Sequence, residues 1–336
     1  MNKKSISLTA VLIFTAVLLL SACSKEEDKI SSYLRESEVL VEDIGEYVQQ
    51  NGAGKRKNTY ADLSIPTQLT KVEDTYFIVD CYHNEVIYND NLEDPISEWN
   101  ILTDEMNMGH TLASDGRVYL VDDTENERIM VFEKAGDSYV FSQQFKNITK
   151  RPHYIVYNEA DSTFYAWCSM SGEMYLFRHG ADSNRMYLTD IRSIPGLDGI
   201  YVRSFTIIGD EIYFVSGNSS IIKADLKTFR ILEEYPVPSE MAGMVQITPI
   251  EDEFYITIST DDNWDQNYAT IIRCSSLEAL SKKDYEDIYK SFIGGGTPYY
   301  ITCVDGSYFL TEHRIPGHSI WRFKVENGKI SAETVY

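Results

Sequence analysis

From Pro66 onward, apolar and polar positions alternate in short runs separated by acidic or glycine turns, and the same succession of runs returns six times. Each unit reads as an apolar-centred strand, a tight turn, and a second strand rich in Tyr, Phe, Ile and Val that starts at Thr75, Arg117, Ser162, Glu211, Glu253 or Ser307. The pairs ahead of these starts are Glu73-Asp74, Asp115-Gly116, Ala160-Asp161, Gly209-Asp210, Glu251-Asp252 and Asp305-Gly306. They predict two-residue hairpins, because Asp and Gly tolerate the positive φ such turns require. Third strands are predicted at 86–88, 129–132, 174–177, 221–222, 270–272 and 320–323. Weaker, more polar fourth strands follow at 138–145, 185–191, 230–235 and 329–336, as suits the outer edge of a small sheet. Spacings of roughly 42 to 54 residues match propeller blades. The predicted fold class is therefore all-β, a six-bladed propeller of four-stranded antiparallel blades. No βαβ alternation is present, which argues against sheets built through helical crossovers. Aligning the units by their turns puts Leu69, Leu112, Ile155, Phe205, Ile247 and Ile301 in one column. An unbroken apolar column predicts packing between neighbouring blades near the axis, hence one closed ring and not two domains. Length variation at 196–201 and 279–288 is expected in loops.

The chain ahead of the ring has a different pattern. Lys3 and Lys4 precede an apolar run at 8–20 that is too short to span a bilayer comfortably and ends in small residues, the layout of a secretory signal. Leu20-Ser21-Ala22-Cys23 resembles a bacterial lipobox. The resemblance implies that the Cys23 thiol receives a diacylglycerol, that cleavage leaves Cys23 as the acylated N-terminus, and that the protein is lipid-anchored on the extracytoplasmic face of the cell membrane. Loss of Lys3 and Lys4 makes the formal charge of -22 two units more negative, so acyl chains and not headgroup electrostatics would hold it. Ile30, Leu34, Val41, Ile44 and Val48 recur at roughly helical spacing before Asn51-Gly52-Ala53-Gly54 and predict one short amphipathic helix. The expected organisation is a signal peptide at 1–22, a tether at 23–58 and the propeller at 59–336.

Within the ring, Val118 to Asp122 followed by Asn126, Arg128, Ile129 and Phe132 resembles an NHL-type propeller repeat. Phe77 to Asp80 with Asn84, Val86, Ile87 and Tyr88 repeats it less fully. The match covers about two blades well. It implies a six-bladed ring of the NHL or SMP-30-like kind and says little about activity. Asp80 and Asp122, at strand ends, are expected to accept backbone N–H bonds.

Charge and candidate chemistry narrow the partners. A formal charge of -22 argues against nucleic acid, whose phosphates require Lys and Arg to displace counterions. Propellers bind at a channel mouth, and the residues just ahead of the apolar column are Thr67-Gln68, His110-Thr111, His153-Tyr154, Arg203-Ser204, Val245-Gln246 and Tyr299-Tyr300. From these, Gln68, His110, His153, Tyr154, Arg203, Gln246, Tyr299 and Tyr300 are the candidate ligand-binding residues. Flat aromatic faces beside a guanidinium and amides suit a sugar, a peptide or a carboxylate. The chain carries no cofactor signature. Two metal alternatives attach to particular residues. NHL-like propeller lyases use His-bound zinc in a comparable central place, which would here fall to His110 and His153 with His83 or His313. Calcium would fall to the acidic loop 261–267, which opens like an EF-hand but has Gln266 at the turn glycine and Ile272 in place of the bidentate Glu, or to the acidic loop of Asp122, Asp123, Glu125 and Glu127. Cys81, Cys168, Cys274 and Cys303 lie in four different units, their apolar flanks predict buried thiols, and Cys274 with Cys303 is the neighbouring-blade pair to consider for a bridge. Common catalytic signatures such as a nucleophile elbow or a phosphate loop are missing. The reading that results is a membrane-anchored extracytoplasmic lipoprotein whose propeller binds a glycan, a peptide or a small polar molecule at the channel mouth. Beside it stand a lyase or hydrolase with a His-bound metal and a protein scaffold in an envelope complex.

Overall fold

The computed structural model describes residues 38–44, 55–260, 263 and 265–336. They form a closed ring of six antiparallel sheets, each built on four strands consecutive in the chain, with one further strand from ahead of the ring added to the second. Blade 1 contains β2 (Pro66–Val72), β3 (Thr75–Asp80), β4 (Glu85–Asn89) and β5 (Asn100–Thr103). Blade 2 contains β6 (Leu112–Ser114), β7 (Val118–Asp123), β8 (Arg128–Ala135) and β9 (Ser138–Lys146). Blade 3 runs β10 (Pro152–Asn158), β11 (Thr163–Cys168), β12 (Glu173–His179), β13 (Met186–Ser193), and blade 4 runs β14 (Val202–Ile208), β15 (Glu211–Ser216), β16 (Ser220–Asp225), β17 (Ile231–Pro236). Blade 5 has β18 (Met244–Ile250), β19 (Glu253–Ile258), β20 (Thr270–Cys274) and a two-residue β21 (Glu286–Asp287), and blade 6 has β22 (Thr297–Val304), β23 (Ser307–His313), β24 (Ile320–Glu326) and β25 (Lys329–Thr334).

The predicted apolar column is buried in all six blades, where it joins the clusters that fill the spaces between sheets. Two-residue hairpins form in blades 1, 4, 5 and 6, with Glu73, Gly209, Glu251 and Asp305 at φ between 50° and 60°. Blades 2 and 3 depart from this. In blade 2 the Asp115 side chain accepts from Arg117 N and Val118 N and widens the turn, and in blade 3 the left-handed residue is Ser162, beyond the expected pair. A short helix, α1 (Leu277–Ser281), occupies part of the insertion expected as loop. Ser276 caps it through Ala279 N, and Leu277 and Leu280 are buried. Among the described residues no disulfide forms: Cys81, Cys168 and Cys274 are buried as predicted, whereas Cys303 is exposed, its strand position facing solvent despite apolar neighbours in sequence.

Signal, lipidation and most helical-tether positions, including Cys23, Ile30, Leu34 and Val48, lie outside the described residues. Within the segment of helical spacing, Leu40–Asp43 is instead extended and forms β1, pairing antiparallel with the outer strand of blade 2. Val39 is buried beneath it, and Glu42 accepts from Gln144 Nε2 at 2.6 Å and from Lys146 Nζ at 3.0 Å. An outer strand with unpaired backbone groups is a template for one more strand, and this segment takes it.

No strand is exchanged between the first and last blades among the described residues, so side chains close the ring. Thr302 Oγ1 and Thr311 Oγ1 donate to the carbonyls of Leu69 and Thr67, at 2.5 and 2.7 Å. Farther out, Tyr336 packs edge-on against Trp99, accepts from its Nε1 at 3.1 Å, and reaches the carbonyl of Asp94 at 2.7 Å. Replacing Tyr336 by Ala should cost about 3 kcal/mol, and by Phe about 1 kcal/mol, in urea unfolding. Equal stabilities for all three proteins would show that closure rests elsewhere.

Candidate ligand site at the channel mouth

The mouth is built by a bulge repeated around the ring. In five blades the pairing of the inner strand slips near its start, at Pro66/Gln68, Pro152/Tyr154, Val202/Phe205, Met244/Gln246 and Pro298/Ile301. A bulge inserts an unpaired residue and re-aims its side chain. It separates two sequence columns by task. Gln68, Thr111, Ser204 and Gln246 join inner strands: Leu112 N donates to Gln68 Oε1 at 2.7 Å, Ile155 N to Thr111 Oγ1 at 2.9 Å, Ile301 N to Gln246 Oε1 at 2.7 Å, and Ser204 Oγ donates to Val245 O at 2.5 Å. One position earlier, His110, His153, Arg203 and Tyr299 gather at the axis.

There the His110 and His153 rings stack, with centroids 3.8 Å apart, and Tyr299 lies parallel to His110 at 5.9 Å. Tyr300 packs against both Tyr299 and Tyr154, and Gln246 Nε2 donates to Tyr154 Oη at 3.0 Å. The candidate residues other than Gln68 thus form one contiguous group. All but Arg203 are buried.

The hydrogen bonds determine how the imidazoles are protonated. Arg203 O, 3.0 Å from His153 Nδ1, can only accept, so Nδ1 carries the proton and Nε2 accepts from the Tyr201 hydroxyl at 3.1 Å. Thr124 Oγ1 has Asp122 Oδ2 and Pro152 O as acceptors for its own proton, so His110 Nδ1 donates to it at 3.1 Å, and His110 Nε2 faces the Cys81 thiol at 3.8 Å. Burial, reinforced by the charges of Arg151 and Arg203, lowers His110 to about 3. Burial, His110, Arg203 and Arg151 push His153 well below its ordinary value. His313, at the end of β23, is lowered to about 4 by burial and by Arg314 and Arg203. Asp122, opposite in sign, is raised to about 6 by burial although it accepts from His110 N, Thr111 N, Thr111 Oγ1 and Thr124 Oγ1.

This arrangement does not suit zinc on the histidine pair. Each ring has both nitrogens on protein partners, and stacked rings cannot aim lone pairs at one point. His83 is elsewhere, stacked on Tyr60 and bonded to Asp80. In the predicted calcium loop, Asp261, Asp262 and Trp264 lie outside the described residues, and Asp265 closes a turn by accepting from Asn267 N. Asp122 behaves as expected of it, holding the entry to the inner strand through backbone N–H groups, and Asp80 does the same through Ser64 N and Ile65 N.

The open part of the site is a cleft of about 590 Å³ between blades 3, 4 and 5, walled by Arg151, Met170, Tyr201, Arg203, Gly243 and Thr260 among others. Arg203 lies over the Tyr201 ring, 5.2 Å from its centroid, donates to Gly243 O at 3.1 Å and also bonds Ser259 Oγ. Arg151 pairs with Glu125 at 3.0 Å, whereas no carboxylate pairs with Arg203 among the described residues. Gly243 is required here: a Cβ would stand 2.1 Å from Thr260 Oγ1 and 2.4 Å from its carbonyl oxygen. Sequence reasoning found the axial residues but missed Tyr201, Arg151, Gly243 and Cys81. These come from connections and strand ends that lie outside the repeating column, so the alignment carried no signal for them.

No family model matches the chain, and no curated protein matches it. Solved structures resemble it throughout the ring. A streptogramin B lyase superposes with a TM-score of 0.56 at 16% identity, covering 88% of this chain and 87% of that one. A provisionally assigned 6-phosphogluconolactonase from Bacteroides uniformis gives 0.54 at 13% identity, with 82% and 85% covered. Another from Bacteroides fragilis gives 0.57 at 11% identity, with 78% and 81% covered. At such identities the likeness establishes the six-bladed propeller and not its chemistry.

Because the folded state keeps His110 and His153 neutral while the unfolded chain protonates them near pH 6.5, unfolding takes up protons below that pH, and their contribution to stability falls as pH drops from about 6.5 toward about 3. Their ring proton shifts in NMR should stay flat between pH 8 and pH 5. A midpoint near 6.5 for either ring would contradict the buried, neutral pair.

Proposed function

We propose that this protein is an extracytoplasmic lipoprotein, anchored through Cys23, whose propeller, of the NHL-like kind, binds a small polar ligand bearing an anionic group in the cleft beside Arg203. The observation that carries the binding part is a partly exposed guanidinium that no carboxylate pairs among the described residues, beside a second arginine, in a chain of formal charge -22. Such a group is a ready partner for a carboxylate or phosphate, through directional and charge-assisted hydrogen bonds. Tyr201, Met170, Ile200 and Met244 add flat and apolar wall for the rest of the molecule, which favours an acidic sugar or a peptide carboxylate over a bare ion. The anchor is compatible with access to this cleft. β1 joins blade 2 at its outer edge, so the tether leaves from the rim, and the 15 residues from Cys23 to Glu38 would reach at most about 50 Å.

A second reading, turnover of the bound ligand, is favoured by one contact. The Tyr201 hydroxyl, in the cleft wall, donates to neutral His153, a hydrogen-bonded pair that would face a substrate held in the cleft. This reading needs no metal on the histidines.

Thermal-shift and calorimetric titration of the soluble body against acidic sugars, their neutral counterparts and short peptides tests the binding proposal. An acidic ligand should raise the melting temperature, and Arg203→Ala should weaken its binding tenfold to a hundredfold, about 1.5–3 kcal/mol. Equal affinity for the neutral counterpart, or for the Arg203→Ala protein, would overturn it. Product formation abolished by Tyr201→Phe with binding retained would convert the reading to catalysis.

A further inference from the structure

The turn joining the second and third strands is built alike in blades 1 and 2, and comparing the two copies exposes a missing charge. Asp80 stands opposite Glu85 across that turn, and Asp123 stands opposite Arg128. Asn84 and Glu127, each just before the third strand, both adopt the left-handed conformation. The structural register therefore equates Asp80 with Asp123, His83 with Asn126 and Glu85 with Arg128, one position away from the pairing that sequence similarity suggests. In blade 2 the group is complete: Asp123 accepts from Asn107 N at 2.7 Å, from Asn126 Nδ2 at 3.0 and 2.9 Å through its two oxygens, and from Arg128 Nε. Blade 1 keeps the aspartate and its backbone donors, Ser64 N and Ile65 N, but puts a carboxylate where the guanidinium stood.

Glu85 is 1% exposed, and its Oε1 is buried without a hydrogen-bond partner. The Asn58 amide is close enough to favour the charged form of Glu85, but its Nδ2 stops short of a hydrogen bond to Oε1 and itself lacks a partner. Arg56, whose charge acts on Glu85, is committed to Asp104 by two hydrogen bonds, at 2.7 and 2.5 Å. A buried carboxylate oxygen without a donor costs free energy that a bound cation would recover. Donor atoms from Asp80, His83 and Glu85 all lie within 4.8 Å of one another, the one such set among the described residues. His83 Nδ1 is already 2.9 Å from Asp80 Oδ2, a separation two ligands of one ion can share. Its ring is partly exposed and stacked on Tyr60 at 3.6 Å, leaving a side open to solvent.

We propose that Asp80, His83 and Glu85 form a binding site for one divalent transition cation of the zinc or manganese class, which takes the place of the arginine found in blade 2. One imidazole with two carboxylates is a donor set that such ions accept and that calcium, preferring oxygen alone, does not. The ion links the approach segment at residues 58–65 to blade 1 through Asp80. Bond lengths near 2.0–2.2 Å require only a modest contraction of the three side chains. On binding, neutral His83 gives up the Nδ1 proton it shares with Asp80 and takes one from solvent at Nε2, so that Nδ1 supplies a lone pair to the ion with no net change in ring charge.

The test uses the purified soluble body, Zn²⁺, Mn²⁺ and Ca²⁺ offered singly, and two variants. Wild type dialysed against Zn²⁺ or Mn²⁺ should retain one equivalent by elemental mass spectrometry, and excess ion should raise its melting temperature by about 5 °C. Glu85→Gln should lose that equivalent. Glu85→Arg copies blade 2, so it should fold with a melting temperature at or above that of the metal-free wild type while binding one ion fewer. Binding of neither transition ion, retention of calcium alone, or an unchanged equivalent in Glu85→Arg would each overturn the site.

Discussion

The structure depends on how the innermost strands satisfy their free edges. Each blade pairs its inner strand on one side only, and the strands of neighbouring blades fan apart too steeply to continue the ladder. The free edge faces the axis, where Thr67, Thr111, Ser204 and Gln246 are buried, and an unpaired backbone group there is costly. Side chains of the adjoining blade supply the partners instead. Thr67 reaches His110 O, Thr111 receives Ile155 N, His153 reaches Arg203 O, Ser204 reaches Val245 O, Gln246 receives Ile301 N, and Thr302 reaches Leu69 O. Every junction has such a bond, including the one that joins the first blade to the last. These bonds specify neighbour distance and rotation, while the apolar clusters between sheets supply most of the attraction.

The candidate site is a by-product of that constraint. A bulge at the start of the inner strand turns one residue toward the next blade and its neighbour toward the axis. Blades 2, 3, 4 and 6 deliver His110, His153, Arg203 and Tyr299 to one place, the last three from bulged strands, and there they gather before any ligand is considered. His153 has both tasks: Nδ1 holds blade 4, and Nε2 accepts from Tyr201 in the cleft wall. Burial, reinforced by the closeness of two guanidinium groups, keeps the imidazoles neutral, which lets them stack without repulsion. The positive charge of the mouth then resides on the arginines alone.

Much of this was legible in the chain. The apolar column from Leu69 to Ile301 is a period-two signal fixed by burial on both faces of every sheet, and the structure keeps it without exception. Turn pairs were legible where two residues suffice, and failed at Asp115 and Ser162, where a side-chain bond or extra residues reshape the loop. The axial residues were found by counting back from the column. What counting cannot show is whether a polar side chain is spent within the fold: Gln68 and Gln246 read as ligand groups and are inter-blade partners. Tyr201, Arg151 and Gly243 sit in connections, whose course is set by tertiary contacts such as the crossing of Gly243 over Thr260. Helical spacing around Val41 competed with an open sheet edge, and at Leu40–Asp43 the edge won because backbone pairing with β9 is available only in the extended form.

A repeated architecture makes departures from the repeat informative in a way that absolute composition is not. Six copies share one set of packing demands, so a position serving only the fold can carry the same chemistry in each. Where the copies differ, the difference has to be balanced locally. The column that faces the axis holds Thr67, His110, His153, Arg203, Val245 and Tyr299, and its charged member lies beside the cleft. The strand-end turn holds an arginine in blade 2 and a glutamate in blade 1, a change of two charge units inside buried surroundings. A buried carboxylate with an oxygen left without a donor destabilises the blade that contains it unless a cation compensates it. The same comparison separates structural from chemical use of one residue type: Asp123 is neutralised within its own turn, while Asp80 shares its turn with a second acid and a histidine.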